Sequence, residues 1–431
     1  MKETLMKRTK IFGLAAAVTL LMMNGAVHAQ DLKFDGYINS GAGLVSDNNE
    51  DNEAHLKAFG VDSEHHGYRF RLNGAYTNEA KNAGIKFRLQ SQTNLDAASA
   101  AGYFSLPYAL GWVSFLDNVI NLSGGIIEDS TWSTGDFWLA SDSVSHFAGL
   151  GTLLKITPVE GLIIGSGFYP INRNSGSSNN TLFTKNLTLP VAWYDAKYTL
   201  HGVYTMKDMF RVGLSFRTES ATPGQGATPE SSNIYGEFRF LGLKPLTAAV
   251  AAKFDWLGED FDSKGDIIFS ETFGYKISDE LNLGLNAAQF LYNRKDANND
   301  KVDMNPGLFF NLWGSYAIDK IVPRLDLVFF AGGRSRVAAT TGNNLSNNND
   351  NWARKDGFVN VAREKDEERD LSVFSVRPSV KFNLDGKTTF EIGDMINIDS
   401  GNYDGAYADS GDADKKSRLT NVFYIDFKWS F

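Results

Sequence analysis

Residues 422–431 read VFYIDFKWSF. Phe423, Ile425, Phe427, Trp429 and Phe431 fall on one side of an extended chain. Tyr424, Asp426, Lys428 and Ser430 fall on the other. Successive side chains of a strand point to opposite faces, so this stretch predicts a strand with one greasy and one wet face.

The pattern recurs upstream. Residues 68–74 (YRFRLNG) set Tyr68, Phe70 and Leu72 against Arg69, Arg71 and Asn73. Residues 85–90 (IKFRLQ) set Ile85, Phe87 and Leu89 against Lys86, Arg88 and Gln90. Segments 210–217 and 234–240 repeat it. The periodicity predicts 18 strands, from 32–45 to 420–431, with 16 as the alternative count. Helical periodicity is nearly absent beyond the first thirty residues.

Those thirty residues read differently. Lys2, Lys7, Arg8 and Lys10 precede an apolar run, Ile11–Met23, and Val27-His28-Ala29 offers small residues at −3 and −1. This predicts a signal peptide over 1–29, cleaved after Ala29, and a single barrel domain over 30–431. Removal takes away four cations and one anion, deepening the formal charge from −9 to −12. The acidic balance argues against a nucleic-acid partner. Zero Cys excludes disulfide frameworks, Cys-ligated metals and thiol nucleophiles. The mean hydropathy of −0.26 argues against a bundle of membrane helices.

The connections alternate short and long from end to end. Short links such as 117–118, 158–160, 278–280 and 384–386 carry the Asp, Asn, Gly and Pro of tight turns. Long links such as 46–65, 128–146, 170–190, 334–370 and 399–419 are rich in Asn, Asp, Ser and Gly. An antiparallel barrel threaded through a membrane puts alternate connections on opposite sides, short turns at the periplasmic end and long loops outside. The fold class predicted is therefore all-β, a transmembrane antiparallel up-and-down barrel. Closure leaves no strand edge unpaired in lipid, and the outer face is apolar without being a core.

A leader, period-two segments and a last strand ending in aromatic Phe431 resemble bacterial outer-membrane porins of 16–18 strands, general or sugar-type. The resemblance covers the whole mature chain as architecture and includes no motif of one named porin family. It implies an outer-membrane location, a water-filled channel for passive diffusion of small hydrophilic solutes and ions, saccharides among them, and a homotrimer. It also implies that the last strand, with Phe427, Trp429 and Phe431, is read by the barrel-assembly machinery, and that outer-membrane lipid surrounds the wall.

A barrel of this size is too wide for its side chains to fill. Charged residues of inward parity would line the channel: Lys33, Asp35, Arg69, Arg71, Lys86, Arg88, Arg211, Arg217, Glu237, Arg239, Lys253, Asp255, Arg377, Lys381, Glu391, Asp426 and Lys428. Arg69, Arg71, Lys86 and Arg88 share one parity on two adjacent strands and form a basic ladder. By the resemblance, the loop at 128–146, between the fifth and sixth strands, folds into the lumen as a constriction. It carries Glu128, Asp129, Asp136 and Asp142, acids that would face the ladder in a transverse field. It also carries Trp132, Phe137 and Trp138. These pin the loop to the wall or join the interfacial girdle; stacking on sugar rings is the alternative.

Other constellations are weaker. Residues 296–303 (DANNDKVD) begin like a calcium loop, but Lys301 stands where the required Gly belongs and Gly307 where Glu belongs. Residues 399–414 collect five Asp in one loop, and His55, His65 and His66 lie near Asp62 and Glu64. No metal site and no cofactor is expected from these. No G-x-S-x-G, H-E-x-x-H or Walker motif is present, so no enzyme is expected and no catalytic residue is named. A surface adhesin using the long 334–370 loop is the alternative function, a barrel enzyme a weaker one.

Overall fold

The computed structural model describes residues 32–47, 54–58, 69–92, 103–129, 131–132, 147–169, 197–219, 231–242, 244–257, 263–291, 294–295, 301–302, 307–333, 370–401 and 417–431. The leader region, the 399–414 acidic loop beyond Gly401 and the His65–His66 pair lie outside them, as do the side chain of His55 and the central residues of the calcium-like segment.

Alternation dictates the strands. They are β1 (Leu32–Asp47), β2 (Ala54–Ala58), β3 (Arg69–Thr77), β4 (Ala83–Gln92), β5 (Tyr103–Phe115), β6 (Ile120–Asp129) and β7 (Phe147–Val159). Next come β8 (Leu162–Tyr169), β9 (Lys197–Met206), β10 (Phe210–Glu219), β11 (Ser231–Phe240), β12 (Leu246–Leu257), β13 (Ser263–Lys276) and β14 (Leu281–Leu291). The last are β15 (Arg294–Lys295), β16 (Lys301–Val302), β17 (Gly307–Tyr316), β18 (Ile321–Gly333), β19 (Asp370–Asn383), β20 (Thr388–Gly401) and β21 (Ser417–Ser430).

Eighteen of these close an antiparallel barrel in which each strand pairs with the next and β21 returns to β1. The seam pairs Tyr37 with Ser430 and continues to Asp47 with Thr420. Gly36 and Phe431 exchange backbone hydrogen bonds at 3.3 and 3.0 Å. A Cβ on Gly36 would stand 2.1 Å from the Arg71 carbonyl oxygen, so the seam needs the bare backbone there.

Three short strands lie outside the closed wall. β2 pairs with Ala42–Ser46 of β1, beyond the Leu32–Asn39 stretch that β3 pairs, and β15 and β16 close a two-residue ladder in the link before β17. Pieces this short carry no periodicity.

The barrel is inside-out relative to a soluble protein. On β10, Leu214 faces outward and is 59% exposed, while its neighbour Ser215 faces inward and is 0% exposed. No helix among the described residues is long and apolar enough to cross a membrane. Short turns are held by their own side chains. Asn78 Oδ1 accepts the N–H groups of Asn82 and Ala83 at 3.0 and 3.1 Å. In the β19–β20 turn, hydrogen bonding to the Thr388 side chain, then to the Lys387 and Thr388 backbone, holds the Asp385 carboxyl below the usual carboxylate range.

Candidate functional site

The inner face of β21, β1, β3 and β4 forms one continuous polar surface. Arg71 lies opposite Tyr37, and Arg88 opposite Asn73. Tyr37 is flanked by two cations, Arg71 at 5.0 Å and Lys428 at 4.6 Å from its ring. Tyr108 on β5 is flanked likewise by Lys86 at 5.5 Å and Arg88 at 4.8 Å. Arg71 Nε donates to Gln90 Oε1 at 2.9 Å, and Arg88 Nε donates to Asn73 Oδ1 at 2.9 Å. Asn73 in turn donates to Asp35. Arg69 pairs with Asn39 along the ladder, and its side chain lies outside the described residues. The ladder is thus an array of cations laid against aromatic faces, which fixes their positions.

Opposite ends of β6 behave differently. β5 pairs with β6 only as far as Ala109 and Ile126, although β5 itself runs back to Tyr103. The departure follows Gly125, whose φ is +126° and whose Cβ, were there one, would meet the Ala109 carbonyl oxygen at 2.5 Å. Beyond it the chain reaches inward groups. Glu128 Oε1 lies 3.4 Å from Arg88 Nη1, and Asp129 Oδ2 lies 2.7 Å from Lys155 Nζ. Asp129 also accepts from the Thr131 N–H at 2.8 Å and from the Thr131 hydroxyl.

Trp132 then locks the segment to the far wall. It is 0% exposed and stacks on His201 of β9, with ring centroids 4.7 Å apart at 14°. Its ring occupies the slot left by Gly165 of β8, where a Cβ would come within 2.3 Å of it. His201 Nδ1 lies 2.9 Å from Ser215 Oγ. Arg211 Nη2 donates to the Thr131 carbonyl at 2.6 Å and pairs with Glu237 at 3.7 Å. Tyr235 donates to the same Glu237 at 2.7 Å. Leu110, Ile127, Leu153 and Val203 complete an apolar cluster around Trp132 on the inner side of the wall.

A closed 18-strand barrel, a polar inner wall and a segment folded inward after the fifth wall strand are therefore in place. Solved structures share the arrangement of strands. Pseudomonas aeruginosa OccK1 (OpdK) aligns over 93% of this chain and 99% of its own at TM-score 0.53 with 10% identity. Pseudomonas aeruginosa OccK2 (OpdF) aligns over 93% and 98% at 0.53 with 11% identity. Pseudomonas aeruginosa OpdK with vanillate aligns over 93% and 99% at 0.52 with 10% identity. The fold is that of a porin. No family model and no curated protein matches the sequence.

Within this porin fold, Arg71, Lys86 and Arg88 share the inner wall with Glu128 and Asp129. The first two acids of the loop bond directly to wall cations, Arg88 and Lys155, and neutralise them. Asp136, Phe137, Trp138 and Asp142 lie outside the described residues. Phe427 and Trp429 face outward, 40% and 41% exposed, and Trp429 meets the Phe431 ring at 5.3 Å. Sequence reading missed Lys155, a lone cation in the apolar run GTLLKITPV whose inward parity is the signal. It also missed the His201 and Gly165 socket, for which no local signal exists. Further around, Arg324 lies over Trp313 at 4.6 Å and grips Asp326 with two bonds of 2.6 and 2.7 Å. Tyr424 donates to Glu391 at 2.9 Å. Among the described residues no group of three His, Asp or Glu is placed to hold a metal ion.

Proposed function

We propose that this chain is a bacterial outer-membrane channel for passive diffusion of small hydrophilic solutes, and that it favours anions over cations. The observation that supports this is the cationic inner face of β21, β1, β3 and β4. Lys428, Arg71 and Lys86 there lie on aromatic rings. Held flat on a ring, a cation keeps one side toward the lumen, where it attracts anions and orients dipolar solutes. The formal charge of −9 counts the whole chain, the acidic stretches 363–370 and 399–414 included, and is not a property of the inner wall. OpdK, solved with vanillate, shares the fold, and an organic anion of that kind is the solute class we assign. A saccharide channel has less support, since Trp132 has no surface left for a sugar. We assign the chain no catalytic step.

Incorporation into a planar bilayer under a salt gradient tests the reading. Discrete conductance steps with a reversal potential on the anion side are expected. Insertion without steps would remove the channel, and a cation-side potential would remove the selectivity.

A further inference from the structure

The lipid face of the barrel ought to be uniformly apolar, and in two places it is not. β20 presents Phe390, Ile392, Asp394, Ile396 and Ile398 on its outer side, an acid at the centre of an apolar row. β13 presents Ile267, Phe269, Glu271, Phe273 and Tyr275, again with the acid at the centre. The register fixes the direction. Asp394 lies opposite Phe423 and Glu271 opposite Val250, both exposed on the outer surface.

Each acid has an amide beside it. Asn421 Nδ2 donates to Asp394 Oδ2 at 3.3 Å. Gln289 of β14 stands opposite Phe269, diagonal to Glu271. Neither acid has an ion-pair partner among the described residues, and Asp394 Oδ1 is shielded without any hydrogen bond. The wall beside Asp394 is hollowed, with a cavity of about 520 Å³ bounded by Gly314, Pro323, Leu325, Pro378 and Phe423. Proline has no N–H for the ladder, and the β19–β20 pairing skips Pro378.

A carboxyl group in hydrocarbon is costly, and acyl chains offer no donor to satisfy it. Another copy of the chain does offer one. We propose that the Glu271–Gln289 patch of one copy seats in the Asp394–Asn421 hollow of the next, amide to acid in both directions. A single contact of this kind covers both polar pairs. A contact of either patch with itself would leave the other pair in lipid. Both acids stand mid-row, hence at one depth, and the order β13, β14, β17, β18, β19, β20 keeps them on the same half of the wall. Copies joined this way curve into a closed ring. The inference rests on the wall lying in lipid and is independent of what crosses the lumen.

The absence of Cys makes cross-linking clean. In membranes, the double variant Gln289→Cys with Asn421→Cys should oxidise to a ladder ending at the ring, whereas each single variant should stay uncross-linked. Co-expressed single variants should give dimers. Single variants that cross-link as well as the double one would overturn the proposal. So would a double variant that stays monomeric while conducting like the parent chain. As a second measurement without thiols, Asp394→Leu and Glu271→Leu should each convert the assembly to single barrels by native mass spectrometry, with conductance per barrel kept. An unchanged assembly mass in both variants, or a monomeric parent chain, would refute it.

Discussion

Trp132→Ala tests how the inward segment is held. Burying a tryptophan removes about 150–250 Å² from water, and truncating one in a packed site costs about 3–5 kcal/mol. Two charged contacts remain, Arg211 to the Thr131 carbonyl and Lys155 to Asp129. Each contributes about 1.5–3 kcal/mol. Against them stands the ordering of residues 130–132, about 1–2 kcal/mol per residue. With Trp132 present the docked segment is favoured by roughly 3–5 kcal/mol; without it the balance falls to about zero. The segment should then visit docked and undocked positions in comparable proportion. Single-channel recording reads this directly. The parent channel should hold one steady level, and Trp132→Ala should flicker between two. Gly165→Val fills the slot from the wall side and should give the same flicker, since it evicts the ring without altering the loop. A steady parental level in Trp132→Ala, in a barrel that still inserts, would refute the reasoning.

Other outcomes follow from the same geometry. Glu128→Gln releases Arg88, so the reversal potential should move further toward anions, while Lys86→Gln should move it the other way; equal potentials in both would contradict the assigned polarity. Gly36→Val places a side chain against the Arg71 carbonyl and should block closure of the β1–β21 seam, read as loss of the heat-resistant fast-migrating band on a gel. Asp385 has a lowered folded-state pKa, so its contribution is present above the ordinary carboxylate value of about 3.9 and lost as pH falls through the folded value. Asp385→Ala should therefore lower the unfolding midpoint at neutral pH, and that difference should vanish in strong acid.

Much of the wall could be read from residue order. Parity alone sends Arg71, Lys86, Arg88 and Lys428 inward and Phe423, Phe427 and Trp429 outward, because a strand's period is two whatever it packs against. Parity also sends Asp394 outward, and FEIGDMINI shows the anomaly once its row of Phe390, Ile392, Ile396 and Ile398 is written out. The direct bonding of Glu128 and Asp129 to the wall was not legible. Nothing local in IEDSTW tells that the strand leaves β5 after Ile126, since that depends on the backbone at Gly125 and on which wall lies across the lumen.

By itself, then, the sequence predicted 18 wall strands with 16 as the alternative, the two faces of each, and the alternation of short and long connections; closure of the wall decided the count at 18. Each predicted feature follows from a period-two pattern and from turn chemistry, which act between neighbours in the chain. Only the tertiary structure decided how the lumen is narrowed. Trp132 meets Gly165, His201 and Arg211 because closure of the wall brings β8, β9 and β10 within reach of a segment that leaves β6. Contacts of that range depend on the curvature of the whole barrel, which no local stretch of residues encodes.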